Sequence, residues 1–162
     1  MSEPLVERIA QWLLAALRQI TPAGGYYYSL NVSRPLDLEG PAETVEDLTT
    51  ILEMGEREEA AKPTMTHRCW RQPFLVSVYL LGSGEPGVPV DQRINRVVAD
   101  IERRIGLDVA AGPGADRMCG GLAYRLFVDS PEIWLDHRRQ ATLVLVPIDV
   151  DYKVSITDPY SP

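Results

Sequence analysis

The chain has 162 residues, 45% of them hydrophobic, with 23 acids against 16 lysines and arginines and a formal net charge of −7. That length fits one domain, 1–162, and buries roughly 70% of its unfolded surface, so a core forms without disulfide staples. No apolar run approaches the ~20 residues of a membrane span, and the acid excess argues against coating nucleic acid, which draws on clustered Lys and Arg.

Leu5, Ile9, Trp12, Leu13, Ala16, Leu17 and Ile20 recur at three- and four-residue steps. This spacing predicts an amphipathic helix over Glu3–Ile20, capped by Ser2 and ended by Thr21-Pro22-Ala23-Gly24-Gly25. Glu3, Glu7 and Arg8 interrupt the apolar positions and argue against a signal peptide, so a soluble, intracellular protein is expected at synthesis. Tyr26, Tyr28, Leu30 and Val32 alternate with polar residues and predict a strand. An acidic loop insertion is expected over about 35–62. Between Pro35 and Glu59 it holds nine acids and the single Arg57. Within it Thr49–Met54 reads as a second strand, with a helix over Ala42–Glu53 as the alternative, and Glu56–Pro63 as a mobile connection.

Thr64–Leu81 predicts a long strand, or two strands broken near Pro73. Its half Phe74–Leu81 is apolar on both faces, as in a strand with a helix on one side and something else on the other. Gly82–Gly87 is a turn, and a second helix follows over Pro89–Ile105, with Gly106 as its stop. Leu122–Val128 alternates as another strand, broken by Ser130-Pro131. Arg139–Ile156 is the last strand, with Thr142, Val144, Val146, Ile148, Val150 and Tyr152 on the buried face. Asp149, Asp151 and Lys153 mark a wet end opposite, and a flexible tail follows over about 157–162. The expected fold is α+β: a mainly antiparallel twisted sheet of about 4–5 strands with two amphipathic helices packed on one face.

Chemistry-bearing motifs are sparse. Gly82, Gly84 and Gly87 spell G-x-G-x-x-G between a strand and a helix, but Pro86 and Pro89 remove N–H donors that a pyrophosphate would need. No second parallel strand with a ribose-binding acid follows. His67, Cys69, Cys119 and His137 are possible zinc ligands, yet they lack the close pairing of structural zinc sites. Cys119 beside Gly120-Gly121 has no recognisable activating base, and both cysteines are expected to be free thiols. The expectation is a non-enzyme with no catalytic, cofactor-binding or metal-ligating residues. The alternative is a small-molecule-binding domain or enzyme using the Gly82–Gly87 loop.

Four pieces in order carry a resemblance: the N-terminal helix leading to Gly24-Gly25-Tyr26; a long middle strand feeding a helix with Val98-Ala99-Asp100-Ile101; Gly120-Gly121-Leu122-Ala123-Tyr124 opening a strand; and a closing strand ending in Asp151-Tyr152. This order resembles the tail terminator, or tail completion, proteins of long-tailed bacteriophages and of phage-like gene transfer particles. The acidic insertion over Pro35–Glu59 departs from that pattern. The resemblance implies a structural virion protein at the head-proximal end of the tail, assembled as a hexameric ring. It implies contacts with the tail tube protein and the head–tail connector, and a lumen through which DNA passes without specific binding. No membrane contact is implied.

Overall fold

The computed structural model describes residues 3–35, 45–110, 118–158 and 160. It is an α+β fold with a mixed seven-stranded sheet. In chain order the elements are α1 (Leu5–Arg18), β1 (Asn31–Ser33), β2 (Thr49–Met54), β3 (Glu58–Ala61), β4 (His67–Leu81), α2 (Val90–Ala110), β5 (Arg125–Val128), β6 (Glu132–Asp136) and β7 (Ala141–Ser155). Strand order along the main path is β1-β2-β4-β7-β5, with β3 on β4 and β6 on β7. Only β1 with β2 is parallel; the other pairs are antiparallel.

The spine is β4 against β7, in register from His67↔Ser155 to Leu81↔Ala141. Alternation puts Phe74, Val76, Val78 and Leu80 on one face with Val144, Val146, Ile148 and Val150, all buried. Leu5, Ile9, Leu13 and Leu17 of α1 and Val97, Ile101 and Ile105 of α2 close over them in one core. Each such side chain contributes about 1.5–3 kcal/mol by leaving water.

Pro73 does not break β4. Its carbonyl accepts the Gly55 N–H at 3.0 Å, so its missing N–H falls on the side where β2 has just ended and β3 has not begun. Pro147 uses the same device. Its carbonyl accepts the Asp129 N–H at 2.9 Å in the gap between β5 and β6.

Other expectations need correction. The sheet has seven strands because two short segments join its long ones. Glu58–Ala61, expected as a mobile connection, is β3, held by Glu58 on Arg71 at 3.7 Å and by Arg57 stacked 4.5 Å over Trp70. Glu132–Asp136 is β6. The first strand shrinks to Asn31–Ser33 because the Tyr27 and Tyr28 N–H groups donate to the Asp100 carboxylate instead of to a ladder. Gly106 does not stop α2. The helix continues to Ala110, with Arg104 paired to Asp108 one turn on across the glycine. The N-cap position of α1 is Pro4, with no side-chain cap; the expected cap Ser2 lies outside the described residues. Of the acidic segment, 36–44 lies outside the described residues, as do 159, 161 and 162 of the expected tail.

Candidate functional site

The Gly82–Gly87 turn is occupied by the chain itself. A Cβ on Gly84 would lie 2.1 Å from Asp47 Oδ2, and that carboxylate accepts the Leu81 N–H at 2.8 Å and Arg93 Nη2 at 2.5 Å. Arg93 is 2% exposed and also donates to the Leu81 carbonyl at 2.6 Å. Burial opposes its charge, but the bond to Asp47 and the attraction behind it outweigh that, and its pKa is raised. Tyr28 donates its hydroxyl to Glu85 at 2.6 Å, and burial first, then Glu85, pushes the phenol up, so it keeps its proton at neutral pH. The glycine at 84 therefore admits Asp47, whose negative charge opposes a phosphate at that spot. Gly84→Ala is expected to displace Asp47 from two partners and to cost about 2 kcal/mol, read as a lower urea midpoint.

The four candidate zinc ligands stand apart in character. His67 is half-buried, Cys69 and Cys119 are buried, and His137 is exposed in the turn after β6. Among the described residues no group of three His, Cys, Asp or Glu is placed to hold a metal. Burial pushes the Cys119 thiol up to about 12, with Asp108 adding to the shift, so a thiolate nucleophile is not present near neutral pH. Cys119 sits at positive φ in a 3-10 turn over Met118–Gly121, and the strand expected from Leu122 begins only at Arg125.

The stretch Gly25–Tyr28 is tied to α2 through Asp100 and Arg103. The Asp100 carboxylate, 3% exposed, takes the Tyr27 and Tyr28 N–H groups at 2.9 and 3.1 Å. Arg103 donates to the Gly25 carbonyl at 2.6 Å and stacks 5.1 Å over Tyr26. Gly25 and Gly120 both adopt positive φ, 82° and 66°.

The sheet face away from the core is the other candidate. Register places Leu75 with Pro147, Ser77 with Leu145, Tyr79 and Trp134 with Leu143, and Ile51 with Ser77 on that face. Leu75, Tyr79, Leu143, Leu145 and Ile51 are half-buried, and both helices lie on the opposite face. Toward β6 the apolar surface opens fully. Ile133, Trp134 and Leu135 are 55, 59 and 67% exposed, although they point alternately to both faces. Hollows of about 410 and 430 Å³ flank the β6–β7 hairpin beside His137. Three consecutive large apolar side chains in the open on a strand that pairs on one side only are an aggregation hazard unless a partner covers them. The short run Glu132–Asp136 between Pro131 and His137 was legible as apolar but too brief to announce a strand.

At the far end of the same face, Asp151 is 3% exposed, which corrects its expected wet position. Arg71 grips it through Nε at 2.8 Å and Nη2 at 3.2 Å. Lys153 is exposed as expected. Asp149 lies between. Burial first, then Asp129, Asp151 and Glu58, push its carboxyl pKa up, against the pull of Arg71. A carboxyl whose folded pKa exceeds its unfolded value destabilises the fold once ionised. Asp149→Asn is thus expected to raise the unfolding midpoint at pH 7. The gain should vanish below about pH 4, where the unfolded aspartate is itself protonated.

No protein-family model matches the sequence, and no curated protein matches it. Among the described residues no helix is long and apolar enough to cross a membrane.

Proposed function

We propose that this chain is a non-catalytic assembly subunit of a phage-like tail, working as a terminator. It closes into a ring, ends polymerisation of the tail tube and joins the tail to the head connector. The observation that carries the reading is β6, with Ile133, Trp134 and Leu135 exposed on a strand beside a half-buried apolar sheet face. A ring subunit needs such a patch to meet a different surface on the next copy, because head-to-tail contacts are the ones that close into rings. The order of sequence motifs and the α+β fold support the same reading. The exposed acids Glu53, Glu56, Glu58 and Glu59 suit a lumen wall that repels DNA instead of holding it.

The reading is tested by deleting the gene from its particle-producing host and imaging the particles. Tubes of unregulated length and unjoined heads are expected. Tails of normal length attached to filled heads would reject it. In parallel, light scattering on the purified protein should give a discrete species at six times the 18.1 kDa chain mass.

A further inference from the structure

The strands β5 and β6 lie end to end along the same side of β7, both antiparallel to it, and neither pairs with another described strand. Other edges of the sheet are protected. Arg18 Nε donates to the Val32 carbonyl of β1 at 3.1 Å, and β3 breaks register between Glu59 and Ala61. The β5–β6 edge carries instead the exposed Ile133, Trp134 and Leu135. Its two strands also match each other. A two-fold axis along the sheet normal, level with Val146, would lay each of them antiparallel to the other strand of a second copy. Trp134 and Phe127 oppose β7 residues three positions before and after Val146, and Ile133 and Val128 oppose residues two before and after it. Leu135 and Leu126 stand four positions away, and Asp136 and Arg125 five.

We propose that subunits outside the ring pair along this edge with a second copy of the chain, as a two-fold dimer with one continuous sheet. Arg125 of one copy meets Asp136 of the other, Phe127 meets Trp134, and Leu126 and Val128 meet Leu135 and Ile133. Arg125, Phe127, Trp134 and Asp136 all oppose odd-numbered residues of β7, so they share the face away from the core, and the four aliphatic residues share the other. Opposite charges and aromatic pairs directly across antiparallel strands are favourable, and the symmetry makes each of them twice. The Arg125 side chain is 61% exposed and 3.9 Å from Asp151, which leaves it room to turn to Asp136. One meeting opposes the dimer: the exposed Asp129 falls opposite the exposed Glu132 beside the axis. A contact of one surface with itself closes at two copies, so it covers β6 without starting a ring. Its role rests on the assembly reading, since the ring takes up β6 only once the pair opens.

The experiment mixes full-length Val128→Cys chains with Ile133→Cys chains and oxidises them with copper phenanthroline. Residues opposite each other on antiparallel strands have Cα atoms about 4.5–5.5 Å apart, within reach of a disulfide. A crosslinked species at twice the 18.1 kDa chain mass is expected from the mixture and from neither variant alone. Cys69 and Cys119 are buried, and the wild-type chain treated alike is the control. Adding Phe127→Ala to both chains should slow the crosslinking at least about fivefold with the circular dichroism unchanged, since two aromatic pairs are lost together. Asp129→Asn in both chains should speed it, because the like charges no longer meet. No crosslink in the mixture, an equal one from Ile133→Cys alone, or a rate that Phe127→Ala leaves unchanged would each overturn the pairing. A six-copy species that never crosslinks would sink the pairing and leave the ring standing, whereas the crosslink without any six-copy species would support the pairing and sink the ring.

Discussion

Replacing Arg93 with methionine should lower the unfolding free energy by about 3 kcal/mol, the low end for breaking a buried ion pair from one side. The methionine keeps most of the stem's volume, so the loss reports the polar contacts. Asp47 loses a partner at 2.5 Å and the Leu81 carbonyl one at 2.6 Å. The low end applies because the Asp47 side chain is 22% exposed and water can recover part of the loss. Arg93→Lys should rescue little. One ammonium cannot span both acceptors as the two guanidinium nitrogens do. Urea unfolding followed by far-UV circular dichroism measures the effect, and a loss below about 1 kcal/mol would sink the account. A cycle with Asp47→Ala should be strongly non-additive, because both changes break the same contact.

Trp134→Ala combined with Leu135→Ala should abolish assembly and leave the subunit folded. Both side chains are more than half exposed, so the subunit's own stability should move by no more than about 0.5 kcal/mol. Truncating an aromatic anchor at the centre of an interface costs about 2–4 kcal/mol, or roughly 30- to 1,000-fold in association. Sedimentation velocity across a concentration series reads the loss, with a melting curve as the folding check. An unchanged oligomer in the double variant would remove β6 from the interface. The Trp134 indole donates to Glu132 at 3.1 Å within the same strand, so Glu132→Ala should act more weakly and in the same direction.

Much of the fold was legible because periodicity reports burial directly. The stripe of α1, the stripe of α2 and the alternation of Val144, Val146, Ile148 and Val150 each predicted the face that the structure buries. Thr49–Met54 has the bounds that its β-branched run predicted. The candidate site was less legible. Apolarity on both faces of Phe74–Leu81 announced a second surface, but β6, where that surface opens, was missed. Its five residues carry no period of their own, and they become a strand only by pairing with Ala141–Leu145. The buried unpartnered hydroxyl of Tyr152 had no sequence signal, since it is defined by what lies next to it.

Local spacing alone dictates the apolar faces of the two helices and the main strands, a property each segment carries by itself. Tertiary structure decided the rest. It made Glu58–Ala61 a strand through Arg71 and Trp70, and it carried α2 past Gly106 through Arg104 and Asp108. It also buried Asp151, a residue that reads as wet in its own strand, because Arg71 arrives from a strand eighty positions away. Those outcomes rest on contacts between distant segments, and short-range pattern does not encode where a distant partner will lie.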